Sequence, residues 1–379
     1  MKFNIIKKNF LEGLNTVSKI IVQNTVNESQ KGIKIELYKD KMILKGSDSM
    51  VFMEYSLAAF DEDKEIITII EEGQAVVPTN YFLDIIRKAP TEIIEIESNN
   101  QTIKIKSGKS EFNIQGYDID EYPDFPIIDK SNKFNMNTKV FNDIIRETLF
   151  CTAVNDQRPI LEGVNVILEN KFLTATSTDS HRLSKRRLLL ENIDESQNFN
   201  IIIPRKSLQS IQKIIENTDE DLEIYYEENR IVFVYRNIIY SAILISGKYP
   251  NTEKLVPSIF ECTVVANSKE MYYAVDRVAL VSKDEKNDIV KLAINDGIVN
   301  LYAYSKELGT AEEEFFAETY NEEGKFEIAV SAKFLKEAIS AINSENVIVK
   351  FSGELTAFII QPSDYHRDII EVLLPVRTY

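Results

Sequence analysis

The chain has 379 residues, 44% of them hydrophobic, and 44 Lys and Arg against 60 Asp and Glu, a net charge of −16. That length suits two or three domains with separate cores, and no apolar run approaches the ~18 residues of a membrane-spanning helix. Such acidity speaks against tight nucleic-acid binding through a dense basic surface, so any DNA role must rest on locally placed cations or on geometry.

In chain order, a strand at Phe3 leads into an amphipathic helix with Phe10, Leu14 and Val17 facing inward. Charges interrupt the apolar positions of MKFNIIKKNFLEGL, so it does not read as a signal peptide. From Ala75 to Pro126 come an apolar run, a Pro, a helical period placing Phe82, Ile85, Ile86 and Ala89 on one face, three strand-like runs and a Tyr-Pro turn. The same order returns from Ile201 to Pro257, and again from Ile328. Phe82, Leu208 and Phe334 are spaced by 126 residues, as are Pro78 and Pro204, and Tyr122-Pro123 recurs at Tyr249-Pro250. The front half repeats as well. Phe134 and Phe141 follow Phe3 and Phe10 by 131 residues, and a third version begins at Phe260 with Met271 in place of Phe141. One module is written three times, each copy itself a doubled strand–helix–strands unit. The period is domain-sized rather than the ~20–50 residues of a solenoid. Alternating apolar and polar strand residues predict antiparallel sheets with one wet face. The expected class is α+β, with domains at 1–126, 127–253 and 254–379, joined by polar, Pro-containing links near 122–133 and 249–258.

Chemistry-bearing patterns are few. His181 and His366 are the only histidines and Cys151 and Cys262 the only cysteines, with no metal-ligand or disulfide spacing. The 12 glycines form neither a dinucleotide fingerprint nor a phosphate loop, and no serine sits in a nucleophile elbow. No catalytic residue, metal or cofactor is expected, and the cysteine usage fits a reducing cytoplasm. Carboxylate runs such as Glu312-Glu313-Glu314 and Asp219-Glu220-Asp221 read as solvated faces. One polar cluster stands out, TATSTDSHRL from Thr174 to Leu183. Asp179 could orient His181 as a base, though an Asp at that distance more often hydrogen-bonds within a turn; a third reading exposes Arg182 and Leu183 in a binding pocket. The ending EVLLPVRTY is either a final strand or, beyond that, one wall of a groove. Cations recur near every helical segment: Lys7, Lys8 and Lys19, then Arg87 and Lys88, Arg146, Lys206 and Lys213, Arg277 and Lys283, Lys333 and Lys336. Singly each is a solvated residue; together, on helices sharing one side, they would make a positive stripe within an acidic body.

The threefold module, ATSTDSHRL, the loop DQRPILEGV at 156–164, the turn GKYPN at 247–251 and the ending LLPVRTY together resemble the bacterial DNA polymerase III β subunits, the replicative sliding clamps, in their Gram-positive branch. The resemblance implies a head-to-tail homodimer, a six-domain ring with helices lining a central hole and sheets outside, that encircles duplex DNA without sequence preference and tethers the replicative polymerase. It also implies a clamp loader and other partners carrying clamp-binding motifs. Carried over residue by residue, a partner-peptide pocket between the second and third domains would use Leu161, Thr178, Ser180, His181, Arg182 and Leu183. From the other side would come Pro250, Leu255, Leu355, Ala357, Leu373, Leu374, Pro375, Val376 and Arg377. Phe112 and Ile114 would meet Leu280 and Val281 of the next chain, and Arg158 and Lys206 would lie near DNA. The sequence departs from the family in IIVQNTVNESQKGI, where Asn24 stands at the position of an expected Arg. That change motivates a second reading, a divergent paralogue that binds partners outside bulk replication.

Overall fold

The structure, a computed structural model, describes residues 1–191, 193–282, 288–321, 324–364 and 366–377. Its contacts divide the chain into two compact units, 1–139 with 206–244 and 140–205 with 245–379. Six α-helices are found among the described residues: α1 (Lys7–Ser18), α2 (Thr79–Lys88), α3 (Thr138–Thr148), α4 (Arg205–Gln212), α5 (Ser268–Ser282) and α6 (Ala332–Ile342). As the repeat predicts, each follows directly on a strand.

In the first unit, α1 and α2 pack on each other, and α1 buries Phe10, Leu14 and Val17 as read from the sequence. Phe82 and Ile86 of α2 are buried, with Ala89 just beyond it, but Leu83 is buried where the sequence reading has Ile85, which is half-buried. Phe3, Phe10 and Phe82 meet edge to face, with ring centroids 6.1 and 5.8 Å apart, the arrangement the ring quadrupole favours. Gly13 lets α1 lie close on its sheet, since a β-carbon there would stand 2.7 Å from Leu44 Cδ1. The second unit is built alike. Val275, Val278 and Ala279 of α5 share one apolar core with Leu335, Ala338 and Ile339 of α6. Ser331 accepts a hydrogen bond from the Phe334 amide to cap α6, and Asn343, at φ 48°, closes it in the left-handed conformation that Asn tolerates.

All sheets are antiparallel, and the two largest are composite. In the first unit an eight-stranded sheet joins Val51–Ala58 to Ile238–Ile243, with Phe52 opposite Ser241. In the second a nine-stranded sheet joins Arg182–Leu189 to Asp368–Leu373, with Arg182 opposite Leu373 and Leu183 opposite Val372. Each composite sheet takes strands from two successive copies of the repeat, so the compact units are not the copies themselves. The turn of interest, Asp179 to His181, opens the joining strand of the second unit.

Candidate partner-docking site

The strand Phe172–Thr178 ends in a tight turn. The Thr178 amide donates to Tyr249 Oη at 3.0 Å, Thr178 Oγ1 donates to the Arg182 carbonyl at 2.6 Å, and the Ser180 amide donates to Thr178 Oγ1 at 3.1 Å. Asp179 Oδ1 accepts from the amides of His181 and Arg182 at 3.0 and 3.1 Å, while Oδ2 accepts from Arg182 Nε at 3.0 Å. The carboxylate is thus engaged with the turn and the guanidinium. It makes an Asx turn, not a catalytic dyad with the imidazole. His181 is exposed and stacks on Phe334, centroids 6.5 Å apart.

Arg182 is only 8% exposed. Besides Asp179 it donates to the Phe150 carbonyl at 2.9 Å and to the Glu337 carboxylate, and its guanidinium lies 4.2 Å from the Phe334 ring centroid and 5.1 Å from that of Phe150. The side chain holds the turn against α6 rather than reaching into solvent. Phe150 and Glu337, which complete this arrangement with Phe334, carry no local sequence signal, and the repeat that marks Phe334 does not link it to Arg182; only the fold brings them together.

The other expected pocket residues divide by burial. Leu161 belongs to a small core with Ala153, Ile202 and Tyr249, and Leu183 packs with Ile359 and Val372 beneath Val256, Phe260 and Ala357. Leu373 is also buried. Leu255, Leu355 and Leu374 are 52%, 65% and 46% exposed. The chain end is pinned: the Leu374 amide donates to the His181 carbonyl at 3.0 Å and the Val376 amide to the Ala329 carbonyl at 2.8 Å. Pro375 and Val376 are half-buried and Arg377 is exposed, while Thr378 and Tyr379 lie outside the described residues. Leu355 and Val376 line one cleft on the face of the four-stranded sheet. Exposed Pro250 lines a separate, more polar one with Thr174, Thr176 and Lys185.

Behind this surface lies Glu371, fully buried, accepting from Ser184 Oγ at 2.9 Å with Cys151 Sγ 4.0 Å away. Burial pushes its carboxyl well above the usual range, and the Ser184 hydroxyl offsets part of that. A carboxyl raised on folding binds its proton more tightly in the folded chain. Its stability contribution is therefore complete at low pH and is lost as pH rises from the unfolded value of 4.5 through the raised folded one, at a slope of up to ~1.4 kcal/mol per pH unit. Glu371→Gln keeps the shape and removes the titration. Urea midpoints should fall less between about pH 5 and 8 in the variant than in the parent chain; equal slopes would contradict this account.

Among the described residues, the cations expected beside the helices divide about evenly between engaged and free, with Lys19 donating to the Lys213 carbonyl at 2.9 Å. Arg87 pairs with Asp84 at 3.0 Å, Arg146 with Asp143 and Glu147, Arg277 with Glu313, and Lys336 with Asp276 at 2.9 Å. Lys7 donates to the Ala89 carbonyl. Lys8, Lys88, Lys206, Lys213 and Lys333 are exposed and form no ion pair among the described residues; Lys283 lies outside them. Arg158 is bound to Asp156 through Nε and Nη2 at 3.0 and 3.2 Å, and Nη2 also donates to Ser180 Oγ at 2.9 Å. Phe112 and Ile114 lie on Ser110–Gln115, the edge strand of a five-stranded sheet, with Phe112 40% exposed. Leu280 is 64% exposed near the end of α5, and Val281 beside it is half-buried.

Three family models match in succession: the DNA polymerase III beta subunit N-terminal domain over residues 1–126, its central domain over 135–251 and its C-terminal domain over 253–377. A beta sliding clamp of Staphylococcus epidermidis is 36% identical over 380 residues, with full coverage of both chains, and one of Staphylococcus aureus is 35% identical on the same terms. The crystal structure of a DNA polymerase sliding clamp from Bacillus subtilis superposes with a TM-score of 0.96 at 34% identity, covering 100% of each chain.

Proposed function

We propose, from the premise that this chain belongs to the DNA polymerase III beta subunit family and is a DNA sliding clamp, that it recruits its partners through the surface around the Asp179–Arg182 turn. As a clamp it is a processivity factor and not an enzyme: it works on DNA with a polymerase, and dimerisation is typical of the family. Nothing in the matches favours the divergent-paralogue alternative.

The observation that carries the docking proposal is the exposed apolar set Leu255, Leu355 and Leu374 in the unit that holds a fixed polar turn. Apolar walls for one or two anchoring side chains, with a few oriented polar groups, suit a short peptide bearing Leu and Phe. Thr178, Ser180 and His181 would orient its backbone. Leu183, Pro250, Ala357, Leu373 and the tail from Leu374 to Arg377 would wall its side chains, with Leu161 and Arg182 supporting from behind. The replicative polymerase, the clamp loader and other motif-bearing proteins would compete for this one surface, in the cytoplasm.

For DNA, the engaged arginines and the scattered free lysines support a loose, sequence-independent hold through phosphates. A ring closed by two chains, with Phe112 and Ile114 of one against Leu280 and Val281 of the other, retains DNA without affinity, which reconciles the role with a net charge of −16. Lys206, exposed at the start of α4, would be among the phosphate contacts. Arg158, held by Asp156, would contribute less.

Titration with a fluorescent QLDLF peptide tests the docking surface. Saturable binding near 1 μM, ~8 kcal/mol, is expected, and removal of the residues from Leu374 onward should weaken it about 100-fold. Unchanged binding by the truncated chain would refute the assignment.

A further inference from the structure

The first unit contains a copy of the docking turn. Ser49 has φ 74° and Ser180 φ 77°, both in the left-handed region that a serine enters at some cost. The Ser49 amide donates to Ser47 Oγ at 3.1 Å, as the Ser180 amide does to Thr178 Oγ1. Asp48 Oδ1 accepts from the amides of Met50 and Val51 at 3.0 and 2.7 Å, as Asp179 Oδ1 does from His181 and Arg182. The Ile243 amide donates to the Met50 carbonyl at 2.9 Å, as the Leu374 amide does to that of His181. Strand registers agree as well: Phe52 faces Ser241 in one sheet where Leu183 faces Val372 in the other.

What differs is which side chains make the cover: at the second turn Leu183 lies beneath Val256, Phe260 and Ala357, with Leu255 and Leu374 left exposed beside it. Three residues after Tyr122 the link carries Phe125; three residues after Tyr249 it carries Thr252. Phe125 packs edge to face on Phe52, the counterpart of Leu183, at 5.3 Å, and lies parallel to Tyr122 at 6.5 Å. Lys45 sits 5.0 Å above its ring. Arg230, where the second unit has Ala357, lies 5.3 Å over Phe52 and donates to Ser241 Oγ at 3.0 Å. With this cover in place, Ile128 and Ile243 are half-buried. Their counterparts Leu255 and Leu374 are 52% and 46% exposed.

We propose that Phe125 fills, from within the chain, the place at the first turn that a partner's aromatic anchor takes at the second. The residue three positions after the Tyr-Pro tyrosine then decides whether a junction docks partners. The first turn is a latent acceptor for the same class of ligand, a short peptide with Leu and Phe anchors, held closed in cis. An intramolecular ring has a high effective concentration, so it excludes a dilute peptide without needing strong contacts of its own. This rests on the docking reading of the second turn.

Two reciprocal substitutions test it, with the full chain and the QLDLF peptide. In Phe125→Ala the peptide bound per chain should roughly double relative to the parent. Thr252→Phe should weaken binding at the second turn about tenfold or more by supplying a competing ring, with circular dichroism reporting that the chain stays folded. If the parent binds peptide while Phe125→Ala, still folded, takes up no more, the proposal is overturned. Parent-like affinity in Thr252→Phe overturns it equally, and decides the matter should Phe125→Ala fail to fold. Absence of binding by the parent would instead remove the docking reading, and this inference with it.

Discussion

Arg182→Ala is expected to destabilise the unit formed by 140–205 and 245–379 by about 3–5 kcal/mol, as when one partner of a buried ion pair is removed. The loss has three sources. Glu337 and Asp179 lose their cationic partner, the Phe150 carbonyl loses a donor, and the rings of Phe150 and Phe334 lose the guanidinium packed between them. Arg182→Lys should recover little, because an ammonium cannot reach three acceptors in the planar fork that the site uses. Urea unfolding monitored by circular dichroism measures this, and an unchanged midpoint in Arg182→Ala would contradict the packing described. The sequence reading places Arg182 exposed in a binding pocket, whereas it is 8% exposed. Its burial makes it a support, so weakened peptide binding in this variant would follow from a loosened turn.

The second large effect concerns assembly. Leu280→Ala combined with Val281→Ala should raise the dimer dissociation constant by a factor of 100 or more, about 3 kcal/mol, without changing the unfolding midpoint measured on the monomer. Leu280 is 64% exposed in the single chain, so truncating it costs the isolated fold little. In the proposed dimer its apolar surface would pack against a second copy, whose edge strand Ser110–Gln115 would offer Phe112. Sedimentation velocity over a concentration series reads the outcome. A dimer as tight as the parent's would exclude these two residues from the interface.

Much of the fold was legible because the chain repeats. A single strand-and-helix pattern is ambiguous, but Phe82, Leu208 and Phe334 in one register, each in the first turn or two of a helix, leave little room for another reading. Phe82 and Leu208 are buried, while Phe334 is half-buried against Arg182 and His181. Alternation in IIEIE and TIKIK fixed antiparallel strands for the same reason. The turn at Asp179 was visible as TATSTDSHRL because a polar run at a strand end needs a purpose. Its wiring was not. Glu337 lies 155 residues from Arg182, and no periodicity links an α6 carboxylate to a strand-end arginine. Nor does sequence tell a solvated cation from an engaged one: Arg146 and Lys206 look alike as text, yet the first is bound to Asp143 and Glu147 and the second is free of ion pairs among the described residues.

The composite sheets change what a repeat means in this chain. The middle copy gives residues 206–244 and its opening strand Lys133–Asn137 to one compact unit and residues 140–205 to the other, so hydrogen-bonded ladders run across the places where the text of the sequence starts over. The repeated unit and the compact unit are therefore different stretches of chain. Exchanging one copy between two such proteins would cut through ladders at both ends and expose unpaired strands. A seam inside the middle copy would cut ladders as well, because Lys133–Asn137 pairs with Asp221–Tyr226 and Gly163–Glu169 with Phe199–Pro204. Strand pairing thus ties the three copies together, both across their boundaries and within them, and favours inheritance of the chain as one piece.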